Sequence, residues 1–211
     1  AVAQNLPEHA HNKIHTDEGA RAAGFAGALV AGVTTYAYLV HPLVAAWGLD
    51  WVAHGGCELR LRVPVLQDDL VRCVPRAGDD DTVIVDALVG TDTNPRAVVR
   101  AWQVDSRVQA ERPGDDLPVA RFTLDDNHGP DYAVRAGDDL DVFVERGVVH
   151  PAAWPSLANG IFSKELVRGP WIHTRSRITH HGLARAHAEI EITSRVVQRF
   201  VRSGERAVVD M

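Results

Sequence analysis

Sulfur is scarce in this chain, and no long stretch is purely apolar. Cys57 and Cys73 are its only cysteines. A hairpin turning near Gln67 would set Cys73 opposite Leu61 rather than Cys57, which argues against a disulfide. Two cysteines without a short spacing also argue against a structural zinc site. The longest apolar candidate is interrupted by His41, Pro42 and Gly48, so a membrane span is not expected. The first residues lack the basic start and apolar run of a secretion signal. With so little cysteine, the expectation is a reducing, cytoplasmic setting. Excess positive charge is missing too. The formal net charge is -6, which disfavours a nucleic acid or an anionic membrane as partner. Neither a G-x-S-x-G elbow nor a phosphate loop is found.

What remains is enough for a core. Hydrophobic residues make up 45% of the 211 and charged residues 24%, outside the range of disordered chains. Such a length suits one large domain or two small ones. Val33, Ala37, Val40, Val44 and Trp47 recur at spacings of three and four, with Tyr36 and Leu43 widening the stripe. This predicts a helix over residues 29 to 47 that stops at Gly48. The period then switches to two. Cys57, Leu59, Leu61, Val63 and Val65 alternate with Glu58, Arg60, Arg62 and Pro64, a strand with one wet face. "DDLVRCVPR", "DTVIVDALV" and "RAVVRAWQV" follow across short turns. A helix followed by four such strands implies α+β architecture, an antiparallel sheet with the helix packed on it.

The polar, turn-rich segment 109–118 reads as a linker between an N-terminal unit, residues 1–108, and a C-terminal unit, residues 118–211. In the second unit "DLDVFVERGVV" reads as a strand and "PAAWPSLANGIFSKEL" as a shorter helix, with Pro155 near its start and Ser156 as a cap candidate. "WIHTRSRIT", "LARAHAEIEITSR" and a final stretch broken into a hairpin at Ser203 and Gly204 read as strands. Laid over the first unit, the second repeats its order of elements. Arg60 falls on Arg175, Arg62 on Arg177 and Leu70 on Leu183. A duplicated unit whose two sheets pair edge to edge is the expectation.

One stretch precedes the long helix with unusual chemistry. "HNKIHTDEGARAAGFAGALVAGVTTYAYL" places His15 and Asp17 ahead of a bare, glycine- and alanine-rich approach to Gly32. Through Asn12, Ile14, His15, Asp17, Gly24, Phe25 and "ALVAGV", and again through "LRVPVLQDDL", the sequence resembles the MaoC-like acyl dehydratases and (R)-specific enoyl-CoA hydratases. That resemblance implies a double hotdog, with an antiparallel sheet wrapped around a long central helix in each half. The family motif is D-x-N-P-x-H, and the six matching residues run from Ala10 to His15. Asn12 and His15 carry over. Ala10 stands where the family has its catalytic Asp, and Lys13 where it has Pro.

The resemblance implies that His15 handles a proton, that Gly32 N–H polarises a thioester oxygen, and that Asn12 binds the loop or the water. It places Asp17, Val33 and Phe25 against the substrate. Each has a plainer reading. His15 as a loop residue would order the chain before the helix, and Gly32 would serve close packing. Asp17 would belong to a helix start capped by Thr16. Glu8, His11, Asp17 or a residue of the second half would stand in for the absent Asp. The adjacent His180 and His181 read as a solvated turn, and His150, His173 and His187 lack ligand spacing, so no metal is expected. Arg60, Arg62, Arg175 and Arg177 line wet strand faces, where solvent or coenzyme phosphates would meet them.

The function implied is a hydro-lyase on an acyl thioester, needing no cofactor beyond the acyl-CoA or acyl-carrier thioester that is its substrate. An acyl carrier protein and a second copy of the chain are the protein partners such a reading allows. A hotdog thioesterase and a non-catalytic acyl-thioester binding protein are the alternatives.

Overall fold

The computed structural model describes residues 1–104, 110–202 and 204–211. The expected boundary at residue 108, the first linker residue Gln109 and the turn residue Ser203 lie outside these. Two 3-10 turns, Pro7–His9 and Lys13–His15, lead into the short helix α1, Asp17–Ala22. Thr16 caps α1, its hydroxyl accepting from Gly19 N–H at 3.2 Å. The long helix α2 spans Gly32–His54. The expected stop at Gly48 is met in part. Gly48 does leave helical dihedrals, at φ 64 and ψ -161, but the chain re-enters the helix and runs on to His54. A glycine takes this conformation at no steric cost, so it kinks the helix instead of ending it. The second segment is held by burial, with Trp51, Val52 and Ala53 all in the interior.

Strands β1, Gly56–Leu61; β2, Val71–Ala77; β3, Val83–Val89; and β4, Ala97–Trp102 follow. They pair antiparallel in the order β2-β3-β4-β1. Strand β2 pairs with β3, setting Cys73 against Ala87, so the expected hairpin between β1 and β2 does not form. Both cysteines are free. Leu59, Val99 and Val85 are cross-strand neighbours and fully buried, and they form a continuous row under α2. Ala87, Ala97 and Ala101 are equally buried and let the helix lie close. Every residue of α2 from Val33 to Val40 is buried, so the helix is covered on all sides, not along one stripe.

The second half is less regular. It contains β5, Asp115–Asp116; β6, Ala120–Thr123; α3, Pro130–Arg135; α4, Val142–Arg146; α5, Ala153–Glu165; β7, Arg175–Thr179; β8, Glu189–Ile192; β9, Arg195–Val201; and β10, Glu205–Asp210. The linker reading therefore gives way at Asp115–Asp116, which pairs with β9. The "DLDVFVERGVV" strand is corrected to helix α4. Its single turn closes at Gly147, in the left-handed region at φ 58, and one helical turn is too short for periodicity to reveal. Ser156 lies inside α5, whose N-cap is Ala152. In "LARAHAEIEITSR" Glu189–Ile192 is strand, the final Arg195 opens β9, and the rest is irregular.

The halves join through β7, which adds to the free edge of β1 and completes a five-stranded sheet. Arg60 pairs with Arg175, the residue matched to it in the overlay of the two halves. The remaining strands form separate pieces, β10-β9-β5 and β6-β8. The expected double hotdog thus holds in coarser form. A long helix packs on an antiparallel sheet, but α5 has 13 residues against the 23 of α2, so the described residues contain one long central helix. No helix among them is long and apolar enough to cross a membrane.

Candidate functional site

The loop before α2 is tied down by one side chain that sequence reasoning passed over. Asn5 donates through Nδ2 to Leu29 O at 2.9 Å and accepts Ala31 N–H at 3.1 Å. Leu29 N–H in turn donates to Ile14 O at 3.0 Å. These bonds lash the turn carrying His15 to the start of α2. His15 then donates from Nδ1 to the same Leu29 O, at 2.7 Å. A carbonyl can only accept, so the proton sits on Nδ1 and the lone pair on Nε2. Burial lowers the pKa of His15, outweighing the carbonyl bond that raises it, and this favours the neutral ring.

His15 lines a cavity of about 250 Å³ together with Asn12, Phe25, Gly32, Arg62, Asn159 and His173. Of the six expected site residues, four therefore meet there: Asn12, His15, Phe25 and Gly32. Val33 is fully buried, and Asp17 is engaged elsewhere. The Asp17 carboxylate accepts Ala28 N–H at 2.9 Å and pairs with Arg21 at 3.2 Å. Neither lines the cavity.

Asn12 donates from Nδ2 to Trp171 O at 2.8 Å, which fixes the amide and leaves its buried Oδ1 without a partner. Gly32 is the first residue of α2, and its N–H has no acceptor among the described residues. The first N–H groups of a long helix carry partial positive charge, so this end polarises an oxygen placed on it. A Cβ at Gly32 would stand 2.3 Å from Leu61 Cδ1 and 3.5 Å from His173 Nδ1. A side chain here would press on the end of Leu61 and fill the space beside His173.

Ala10 is exposed and does not line the cavity. None of its expected local substitutes does either. Glu8 pairs with Arg135 at 2.8 Å, and His11 bonds Glu8 O at 2.7 Å. Both face a separate hollow of about 850 Å³ beside α3 and α5. The second half instead contributes Asn159 from α5 and His173 from the run into β7. His173 had no signal in its own neighbourhood. It arrives because β7 pairs with β1, and Leu61 N–H extends that ladder to Thr174 O at 2.9 Å.

His9 was also missed. It is 2% exposed, its ring centre is 6.1 Å from that of His15, and burial pushes it down to about 4. His180 is corrected from a solvated turn to the interior, where it meets Trp51 edge-on at 5.0 Å. A further cluster joins the halves away from the cavity. Asp138 accepts from His41 at 2.9 Å, from His150 at 3.2 Å and from Leu140 N–H at 3.0 Å. Burial alone would raise the Asp138 pKa, but these hydrogen bonds hold it below the usual value. Among the described residues, His41, Asp138 and Asp139 are the group whose ligand atoms lie near enough to share a cation.

No family model and no curated protein matches the chain. Solved structures do. A MaoC-like dehydratase aligns over 94% of this chain and 86% of its own, with 15% identity and a TM-score of 0.58. A MaoC-domain dehydratase of Chloroflexus aurantiacus aligns over 93% and 78%, with 13% identity and a TM-score of 0.60. A conserved protein of Mycobacterium tuberculosis, described as a double hotdog, aligns over 99% and 86%, with 12% identity and a TM-score of 0.63. The fold is of the hotdog type. At these identities the likeness concerns the fold alone. Within that hotdog framework, α2 begins at the cavity, and the short turn bearing His15 is laid across its N-terminus.

Proposed function

We propose that the chain is a hydro-lyase of the MaoC-like type, interconverting an enoyl thioester and its 3-hydroxyacyl hydrate. One observation carries this reading. The Nδ1–H of His15 is committed to Leu29 O, so the ring offers the basic Nε2 in a cavity that Gly32 also lines. In the hydration direction, Nε2 takes a proton from water as the water oxygen bonds to Cβ. The alkene electron pair moves toward Cα and the thioester oxygen, where Gly32 N–H stabilises the enolate. The imidazolium then returns its proton to Cα, so one ring closes the cycle. The buried, unpartnered Oδ1 of Asn12 supplies the second acceptor that the water needs for orientation. It serves where the resembled family uses the Asp replaced by Ala10.

Arg62 lines the cavity and has no acidic partner among the described residues. Arg60, Arg175 and Arg177, by contrast, all gather around Glu58 at 3.5 to 3.8 Å. This singles out Arg62 as the cation for the phosphates of a coenzyme A or phosphopantetheine arm. Among the described residues the cavity lining contains no carboxylate, which weakens the thioesterase alternative in which Asp or Glu activates water.

The test is turnover of crotonyl-CoA, followed by loss of the conjugated thioester and, separately, by release of free thiol. Hydration without thiol release is expected. His15→Ala should lower turnover by about two to four orders of magnitude, the scale of a general base. Thiol release by the native chain would favour the thioesterase, and unchanged hydration in His15→Ala would remove His15 from the mechanism.

A further inference from the structure

We propose that His173, delivered by the second half, is a catalytic residue that donates a hydrogen bond from Nδ1 to the thioester oxygen bound at Gly32 N–H. The inference rests on the hydro-lyase reading and gives its oxyanion site a second donor. A single backbone N–H leaves a developing enolate oxygen with only one partner, and preorganised pairs of donors are what make such sites effective.

Three features of His173 fit the role. Its Nδ1 is buried without a partner and lies 3.5 Å from where a Cβ on Gly32 would stand. The ring lines the cavity that holds His15. Its other nitrogen, Nε2, lies 2.7 Å from Ser176 Oγ. A serine hydroxyl can donate to Nε2 or accept from it, and the role requires the arrangement in which it donates, with the ring proton on Nδ1. Burial lowers the ring's pKa to about 4, so at neutral pH it donates as an uncharged group. No proton is transferred by His173. It polarises the oxygen while His15 moves the protons, and a neutral histidine suits that role.

The division of labour separates His173 from a proton carrier. An asparagine at position 173 can place an amide N–H where Nδ1 stands, but it cannot act as a base. His173→Ala should lower kcat for crotonyl-CoA by about 10²- to 10³-fold, the usual cost of losing an oxyanion donor. His173→Asn should recover most of that loss, with the pH profile of the native chain. Ser176→Ala, which removes a positioning contact, should fall between. Circular dichroism checks that each variant is folded. The carbonyl stretch of bound butyryl-CoA, which cannot be hydrated, reports polarisation directly. It should lie at lower frequency in the native chain and in His173→Asn than in His173→Ala.

Full activity in His173→Ala overturns the proposal and leaves the hydro-lyase reading intact. His173→Asn no better than His173→Ala, with one limb of the pH profile lost in both, makes His173 a proton carrier and also overturns it. A native chain that binds butyryl-CoA but hydrates nothing removes the hydro-lyase reading. The carbonyl stretch then decides the donor role alone, an unchanged frequency in His173→Ala counting against it. Failure to bind butyryl-CoA overturns both.

Discussion

Replacing Gly32 by alanine puts the site geometry under direct strain. The new Cβ would stand 2.3 Å from Leu61 Cδ1 and 3.5 Å from His173 Nδ1. An ordinary carbon–carbon contact is about 3.5 to 4 Å, so the end of Leu61 must retreat by roughly 1.2 Å or more. Leu61 is only half-buried, and its methyl can swing, at about 0.5–1.5 kcal/mol for an off-rotamer position. Against this, alanine loses less chain entropy than glycine on folding, which returns about 0.5–1 kcal/mol. The net change in stability should be small, within about 1 kcal/mol, or about 2–4 °C in Tm for a chain of this size. Activity should respond far more. The N–H remains, but a methyl now occupies the approach to it, between Leu61 and His173. A thioester oxygen held even 1 Å off its position forfeits most of the benefit, on the order of 10²-fold in kcat. Thermal unfolding and crotonyl-CoA hydration, measured on the same preparation, separate the two effects. A Gly32→Ala chain that folds normally and keeps full kcat would refute the oxyanion assignment. A chain that fails to fold would refute the packing estimate.

Two other perturbations bear on charge. His9, His173 and His180 each have a folded pKa of about 4 because of burial, below the unfolded value of about 6.5. The unfolded chain therefore binds more protons between those limits, and stability that is complete above about pH 6.5 is lost as pH falls toward 4. The loss by pH 5 is on the order of 2 kcal/mol per histidine. A Tm lower by on the order of 10 °C at pH 5 than at pH 7.5 is expected, and a flat Tm across that range would contradict the buried, neutral state of these rings. Arg62→Glu should raise KM for crotonyl-CoA by about three- to thirtyfold with kcat unchanged, the pattern of lost uniform binding. The same variant should leave KM unaltered for crotonyl-N-acetylcysteamine, which lacks phosphates, and equal effects on both substrates would remove Arg62 from phosphate recognition.

Local pattern alone determined the core of the first half. The three- and four-residue spacing from Val33 to Trp47 marked α2, although that helix is covered on all sides, and the alternation from Cys57 to Val65 marked β1, which ends at Leu61. At His15 the position before Gly32 favours by itself an ordinary loop histidine, and only the resemblance to the MaoC-like family pointed to a site there. Pairing decided the rest. Whether Gly48 ends a helix or kinks it depends on Trp51 and its neighbours finding a core. Whether Phe143 belongs to a strand or to one helical turn depends on where it is buried, which periodicity over five residues does not encode. His173 reaches Gly32 only through the register of β7 on β1, and Asn12 acquires a free Oδ1 only because Trp171 O engages its Nδ2. Such contacts join residues 141 and 159 positions apart. They are set by strand edges and packing, not by neighbours in the chain, and so the second half of the site became visible only in the fold.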